Sequence, residues 1–214
     1  MAVVHQNYAV VGDGVEVEPR VNRQGSYVAV DQVLQWAIEG RIFNASNPVQ
    51  EAGVTAGESG GPGGSNVNPS FLLEVPAGIT AVFLEMYMQA EGTGTSGDWT
   101  VLRMSTDTVG RYASGGSAVT PFNMRKHGTS SRCRFFTGAT QIVASANTDD
   151  DTIWASRYDV SLLPQEAWHW TYKDSYPIVL VGPAALLSYV DVNNDNEEIN
   201  FSYKWAEFAT TEVV

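Results

Sequence analysis

The sequence predicts an all-β protein, an antiparallel sandwich with a jelly roll as the first choice of arrangement, and three observations lead there. The closing segment Glu198 to Phe208 alternates strictly, with Ile199, Phe201, Tyr203 and Trp205 set against Asn200, Ser202 and Lys204. From Pro69 onward, short apolar runs recur between turns rich in Gly, Pro, Asn and Asp. Helical periodicity is nearly absent over the same stretch. Alternation does not fix topology, so an immunoglobulin-like sandwich stands as the alternative.

In chain order, residues 1–51 read as an N-terminal arm or subdomain of short apolar stretches with one short helix, Val30 to Gly40. Val33, Leu34, Trp36 and Ile38 give that helix an apolar side, Asp31 suits its dipole and Gly40 stops it. Residues 52–68 carry Gly53, Gly57, Gly60, Gly61, Gly63 and Gly64 with Pro62, too little apolar surface to offset ordering entropy, and read as a linker or long loop. Residues 69–214 are the sandwich domain. Phe71 to Val75 is a strand closed by the turn Pro76-Ala77-Gly78. Ile79 to Gln89 follows, with Val82, Leu84, Met86 and Met88 on one face and Phe83, Glu85 and Tyr87 on the other. After a loop at Gly92 to Gly97 come Trp99 to Met104, Thr140 to Ala146, Thr152 to Ser161, Ile178 to Val181 and Ala185 to Val190.

Composition narrows the function classes. Twelve basic residues stand against 24 acidic, a net charge of −12. Read as unclustered, the basic residues make nucleic acid a poor partner. The single cysteine, Cys133, excludes an intramolecular disulfide and a cysteine-cluster zinc site. Its neighbours Arg132 and Arg134 could activate a thiol, but a plain buried cysteine is the preferred reading. No basic region precedes an apolar one at the N-terminus, and no apolar run approaches the ~20 residues that span a bilayer. The expectation is a soluble protein made in a cytoplasm, without a membrane partner. Aromatic residues at 11%, including six tryptophans, beside only 17% charged residues suit packed or self-associating surfaces.

No constellation for catalysis stands out. His5, His127 and His169 lack metal-ligand spacing, no Gly-x-Ser-x-Gly elbow occurs, and Gly57 to Gly64 lacks the Lys-Ser/Thr ending of a phosphate loop. Nothing singles out a carboxylate pair. The run Asp191 to Glu198 offers Asp191, Asn193 and Asp195 as Ca²⁺ candidates, but Asn196 and Ser202 break the EF-hand pattern, and a hairpin turn explains the same residues. Asp149-Asp150-Asp151 reads as a loop tip. Trp168, Trp170 and Tyr172 alternate around His169 and could line a glycan platform; a turn anchored by the aromatic rings is the preferred reading. The sequence thus predicts no enzyme, no cofactor and no metal.

Two segments carry a family resemblance. Gly115-Gly116-Ser117-Ala118-Val119-Thr120-Pro121-Phe122-Asn123-Met124-Arg125 resembles a Gly-Gly-Thr-Ala-x-Thr-Pro-x-Asn-Leu-Asn-Arg stretch of the head decoration and auxiliary capsid proteins of tailed phages. Trp170-Thr171-Tyr172, Pro177 to Leu180, Leu186 to Val190 and Phe201-Ser202-Tyr203-Lys204-Trp205-Ala206-Glu207 are similar to that family's closing strands, which end in aromatic residues and Glu. The likeness spans residues 70–210, with Phe122 and Arg125 standing where a smaller aliphatic residue and Asn are expected. It implies a subunit on the outside of an icosahedral virion capsid, a homotrimer whose partners are the major capsid protein and neighbouring copies of itself. It brings no catalytic residues. On that basis the N-terminal region is expected to dock on the shell and the domain from Pro69 to carry the subunit contacts, with simple packing of the N-terminal part on the domain an equally weighted alternative. A tail or baseplate component and a carbohydrate-binding module are the competing readings.

Overall fold

The computed structural model describes residues 31–47, 53–55, 68–91, 99–138, 142–143, 151–159, 167–174, 176–192 and 198–213. They form helix α1 (Gln32–Glu39) and strands β1 (Ile42–Ser46), β2 (Val54–Thr55), β3 (Phe71–Val75), β4 (Ile79–Glu91), β5 (Trp99–Asp107), β6 (Tyr112–Ser114), β7 (Ser117–Val119) and β8 (Phe122–Asn123). There follow β9 (Arg134–Thr137), β10 (Ile142–Val143), β11 (Asp151–Asp159), β12 (Ala167–Thr171), β13 (Ile178–Val181), β14 (Ala184–Val192), β15 (Glu198–Ala209) and a final 3-10 turn, Thr210–Glu212. Among the described residues no helix is long and apolar enough to cross a membrane.

The strands build two antiparallel sheets packed face to face, the sandwich the sequence predicts. One runs β12-β4-β15-β1-β8, with β13 also on β4 and β2 also on β15; the other runs β11-β5-β14-β3-β9-β7. Strands β6 and β10 pair separately. The chain passes from the first sheet to the second between β4 and β5 and from the second to the first between β14 and β15, with further passes between them, since β8, β12 and β13 also lie in the first sheet. Because β4 pairs β15 and β5 pairs β14, those two passes nest.

The alternation of β15 decides which residues fill the sandwich. Ile199, Phe201, Tyr203 and Trp205 point inward, where they meet Phe71, Leu73, Met104, Phe135 and Leu186 of the opposite sheet. Inside that apolar layer the Tyr203 hydroxyl donates to Ser188 Oγ at 2.7 Å, linking the sheets and satisfying a group that burial would otherwise penalise. In β4 the expected faces are redistributed. The register with β15 slips between Lys204 and Trp205, which face Glu85 and Phe83 and leave Leu84 unpaired, a β-bulge that reverses the alternation. Met86 and Met88 therefore point inward together with Phe83, while Val82 and Leu84 turn outward.

Helix α1 covers that outward apolar patch. Val33, Trp36 and Ala37 pack on Ile42, Val82, Leu84, Ala206 and Phe208, and Trp36 meets Phe208 edge-on at 5.0 Å. Leu34 and Ile38, expected on the packed side, are exposed. Asp31 accepts from the Val33 and Leu34 amides, and Gly40 closes the helix at φ 75°, a left-handed cap that glycine adopts without strain.

Described residues on the N-terminal side of the expected boundaries at 51/52 and 68/69 join the sheet. Strand β1 lies inside the first sheet, between β15 and β8, with Ile42, Phe43 and Ala45 buried. Residues 31–47 are thus part of the sandwich, and Val54–Thr55 of the expected linker pair with Glu198 and Ile199. Ile42-Phe43-Asn44-Ala45 is too short a run to reveal its neighbours; the free edge of β15 supplies the reason it is recruited.

Candidate protein-binding surface

The loop from β8 to β9 is exposed yet held rigidly at both ends. At its start the Asn123 side chain donates to the Gly40 and Thr129 carbonyls at 2.7 and 3.0 Å, and its Oδ1 accepts from the Arg125 amide at 2.9 Å. The Met124 amide reaches the Ile42 carbonyl and the Gly128 amide the Arg125 carbonyl. His127 sits at φ 64°, and a Cβ on Gly128 would lie 2.4 Å from Asn123 Cγ, so the turn admits only glycine there. Gly128→Ala is expected to push Asn123 aside and open the loop, read as faster tryptic cleavage at Arg125 and Lys126 with little change in global melting temperature.

At the other end the anchor is Glu207, a buried carboxylate on β15. It accepts from the Arg132 amide at 2.9 Å, the Cys133 amide at 3.4 Å, Trp205 Nε1 at 2.9 Å and the Ser131 hydroxyl. Four donors onto one carboxylate offset its desolvation and fix the backbone that enters β9. Cys133 is buried beside it, as preferred from sequence. Burial, reinforced by the Glu207 charge, pushes its thiol well above the ordinary range, so it is no activated nucleophile.

Between this loop and the end of α1 opens a cleft of about 810 Å³ bordered by Arg41, Arg125, Thr129, Ser130 and Arg132, with Glu207 in its wall. Arg41 is spoken for: it pairs with Glu39 and Glu212, and its hydrogen bond holds the Glu212 carboxyl below the usual carboxylate range. Arg125, Lys126 and Arg132 make no ion pair among the described residues. Phe122 and Met124, 51% and 48% exposed, add apolar surface to the same loop.

No protein-family model, curated protein or solved structure matches the chain.

The reading that basic residues are unclustered is corrected by this geometry. Residues 108–148 contain no Asp or Glu but hold Arg111, Arg125, Lys126, Arg132 and Arg134, leaving seven basic against 24 acidic residues elsewhere, a net −17. Arg111 is neutralised by Asp107 and Arg134 by Glu74. Arg125, Lys126 and Arg132, with no ion pair among the described residues, make the loop a basic segment of an acidic protein, Arg132 acting electrostatically on Glu212. A 41-residue window of charge would have found it from sequence, since a chain-wide tally averages it away.

The other sequence candidates fare differently. Trp168 and Trp170 do share a strand face, but it is the inward one: they are 1% and 6% exposed, Trp170 stacks on Phe83 at 5.1 Å, and Tyr172 is half-buried. An aromatic platform open to a glycan is not formed. His169, between them, faces outward with Nε2 3.7 Å from Glu85. Asp191 lies in β14, whereas Asn193 and Asp195 fall outside the described residues. Because β14 and β15 belong to opposite sheets, the run from Asp191 to Glu198 joins the sheets rather than closing a hairpin. Among the described residues no group of three or more metal-binding side chains occurs. His5, Asp149, Asp150 and Gly57 to Gly64 also fall outside them.

The thiol of Cys133 and the phenol of Tyr203 are both pushed up by burial from ordinary values of 9.0 and 10.0. The fold keeps protons that the unfolded chain releases, so their contribution is complete below pH 9 and declines as pH rises. Melting curves are expected to shift downward between about pH 9 and 11, each group contributing up to ~1.4 kcal/mol per pH unit. A flat profile would contradict it.

Proposed function

We propose that the chain is a non-enzymatic structural protein of a tailed-phage virion that decorates or cements the outside of the capsid shell. One observation carries the reading. The two segments whose resemblance points to decoration proteins, Gly115 to Arg125 and Phe201 to Glu207, converge in the fold on a single feature: Asn123 from one and Glu207 from the other pin opposite ends of the exposed β8–β9 loop. A chain that commits buried polar groups to holding an exposed loop in one shape is presenting it, because a pre-ordered surface loses less entropy on association.

The chemistry of the cleft favours binding over turnover. Glu207, its one buried acid, is already committed to four hydrogen bonds that hold the loop, and the nearby thiol is covered. The carbohydrate-binding alternative loses its platform with Trp168 and Trp170 in the core. A tail or baseplate component shares the same architecture and is separated by location. Gold-labelled antibody against the chain, applied to particles purified from cultures expressing its gene, is expected to mark the heads; label on tails, or none on particles, overturns the proposal.

A further inference from the structure

Three guanidinium groups line the cleft between the β8–β9 loop and the end of α1, and each is placed in a different way. Arg41 is fixed by Glu39 and Glu212, with its guanidinium 5.0 Å from the centre of the Phe208 ring. The stem of Arg125 lies over Gly40, where a Cβ would stand 3.3 Å from Arg125 Cδ. Arg132 projects from backbone that its own amide ties to Glu207 at 2.9 Å. The side chains of Arg125 and Arg132 make no ion pair among the described residues. Thr129 and Ser130 add hydroxyl groups to the lining. Guanidinium forks and hydroxyls are the donors that recognise an oxyanion, the forks by paired N–H bonds.

We infer that the cleft binds a single carboxylate presented by an apolar protein segment, through Arg125 and Arg132. The inference rests on the reading above for the partner, the capsid shell, and not for the chemistry of the site. Charge selects the class of oxyanion. The lining sets Arg41, Arg125 and Arg132 against Glu39 and Glu207, one positive charge in excess. Counting the adjoining Lys126 and Glu212 as well leaves the same excess. One carboxylate neutralises it, whereas a phosphate dianion overshoots it beside the fixed charge of Glu207. A run of phosphates or sulfates would extend past the cleft onto a chain of net −12. Phe122 and Met124, just before Arg125, are exposed and match apolar side chains around the carboxylate. The loop is already pinned at Asn123 and Glu207, so little ordering opposes docking.

The test uses the 214-residue chain and a dye-labelled, end-blocked peptide with one glutamate among leucines and serines, followed by fluorescence anisotropy. The glutamate peptide is expected to bind about tenfold or more tightly than its glutamine counterpart, with affinity falling as salt rises. A phosphoserine counterpart is expected to bind less tightly than the glutamate peptide. Arg125→Gln/Arg132→Gln is expected to lose about the same tenfold with circular dichroism unchanged, and Arg125→Lys/Arg132→Lys to fall between, since lysine keeps the charge and loses the fork. The peptide comparisons need only the wild-type chain and decide the matter even if a variant fails to fold. The inference is overturned by equal binding of the glutamate and glutamine peptides, by tighter binding of the phosphoserine peptide, by a folded glutamine variant that keeps the wild-type affinity, or by no binding at millimolar peptide. Selective peptide binding without head labelling leaves the carboxylate site and removes the decoration reading; head labelling without selective peptide binding does the reverse.

Discussion

Glu207→Ala lowers unfolding free energy by roughly 3–5 kcal/mol, the largest loss expected from any single polar residue of the loop system. The substitution deletes the acceptor of the Arg132 and Cys133 amides, the Trp205 indole N–H and the Ser131 hydroxyl. Each buried donor left without a partner costs about 1–3 kcal/mol, and the total stays below the sum because water from the cleft can reach the Ser131 and Arg132 side. For a chain of this size that corresponds to a melting temperature lower by roughly 6–20 °C. Glu207→Gln keeps one acceptor oxygen and turns a donor toward other donors, so it should fall between wild type and Ala. Chemical denaturation with intrinsic tryptophan fluorescence measures both; a loss below about 1 kcal/mol for the alanine variant would mean that the carboxylate is not the anchor.

Trp205→Ala is expected to cost about 3–5 kcal/mol by a different route. The indole is fully buried, stacks between Phe43 and Phe135 at 6.4 and 6.1 Å, and sits where β1, β15 and β9 meet. Its removal leaves a cavity bounded by rings from both sheets, which cannot collapse without moving a strand. Trp205→Phe retains most of the packing and loses only the N–H to Glu207, so it separates ring from hydrogen bond. The two sites share that bond. The double variant Glu207→Ala/Trp205→Ala should therefore lose less than the sum of the singles, by about 1 kcal/mol, whereas strict additivity would place the residues in independent environments.

How much of this was legible in the sequence depended on how local the cause was. Glu198–Ala209 follows from alternation, Phe71–Val75 and Ile178–Val181 from short apolar runs beside turn residues, and the helix from Asp31 and Gly40, all features within a few residues. The bulge at Leu84 is not legible locally, because it depends on the register with β15, and uninterrupted alternation places Val82 and Leu84 on the wrong face. Strand β1 was hidden for a similar reason: its burial is decided by a partner far along the chain. Of the candidate site, Asn123 and Glu207 stood inside the segments that carry the resemblance, yet their convergence on one loop is a tertiary fact. The tryptophans at 168 and 170 were placed on one face correctly, while which side that face addressed was fixed only by β4 packing beside them. The basic loop is readable as 41 residues without an acid, and a net charge summed over the whole chain averages it away.

The central claim, that the protein belongs on the outside of a capsid shell, is tested most directly by rebinding. Shells purified from particles made without this gene are mixed with the 214-residue chain and sedimented. Saturable recovery with the shells is expected, with release of packaged DNA at a higher temperature than in bare shells. Protein that stays in the supernatant at every concentration, with the release temperature unmoved, would contradict it.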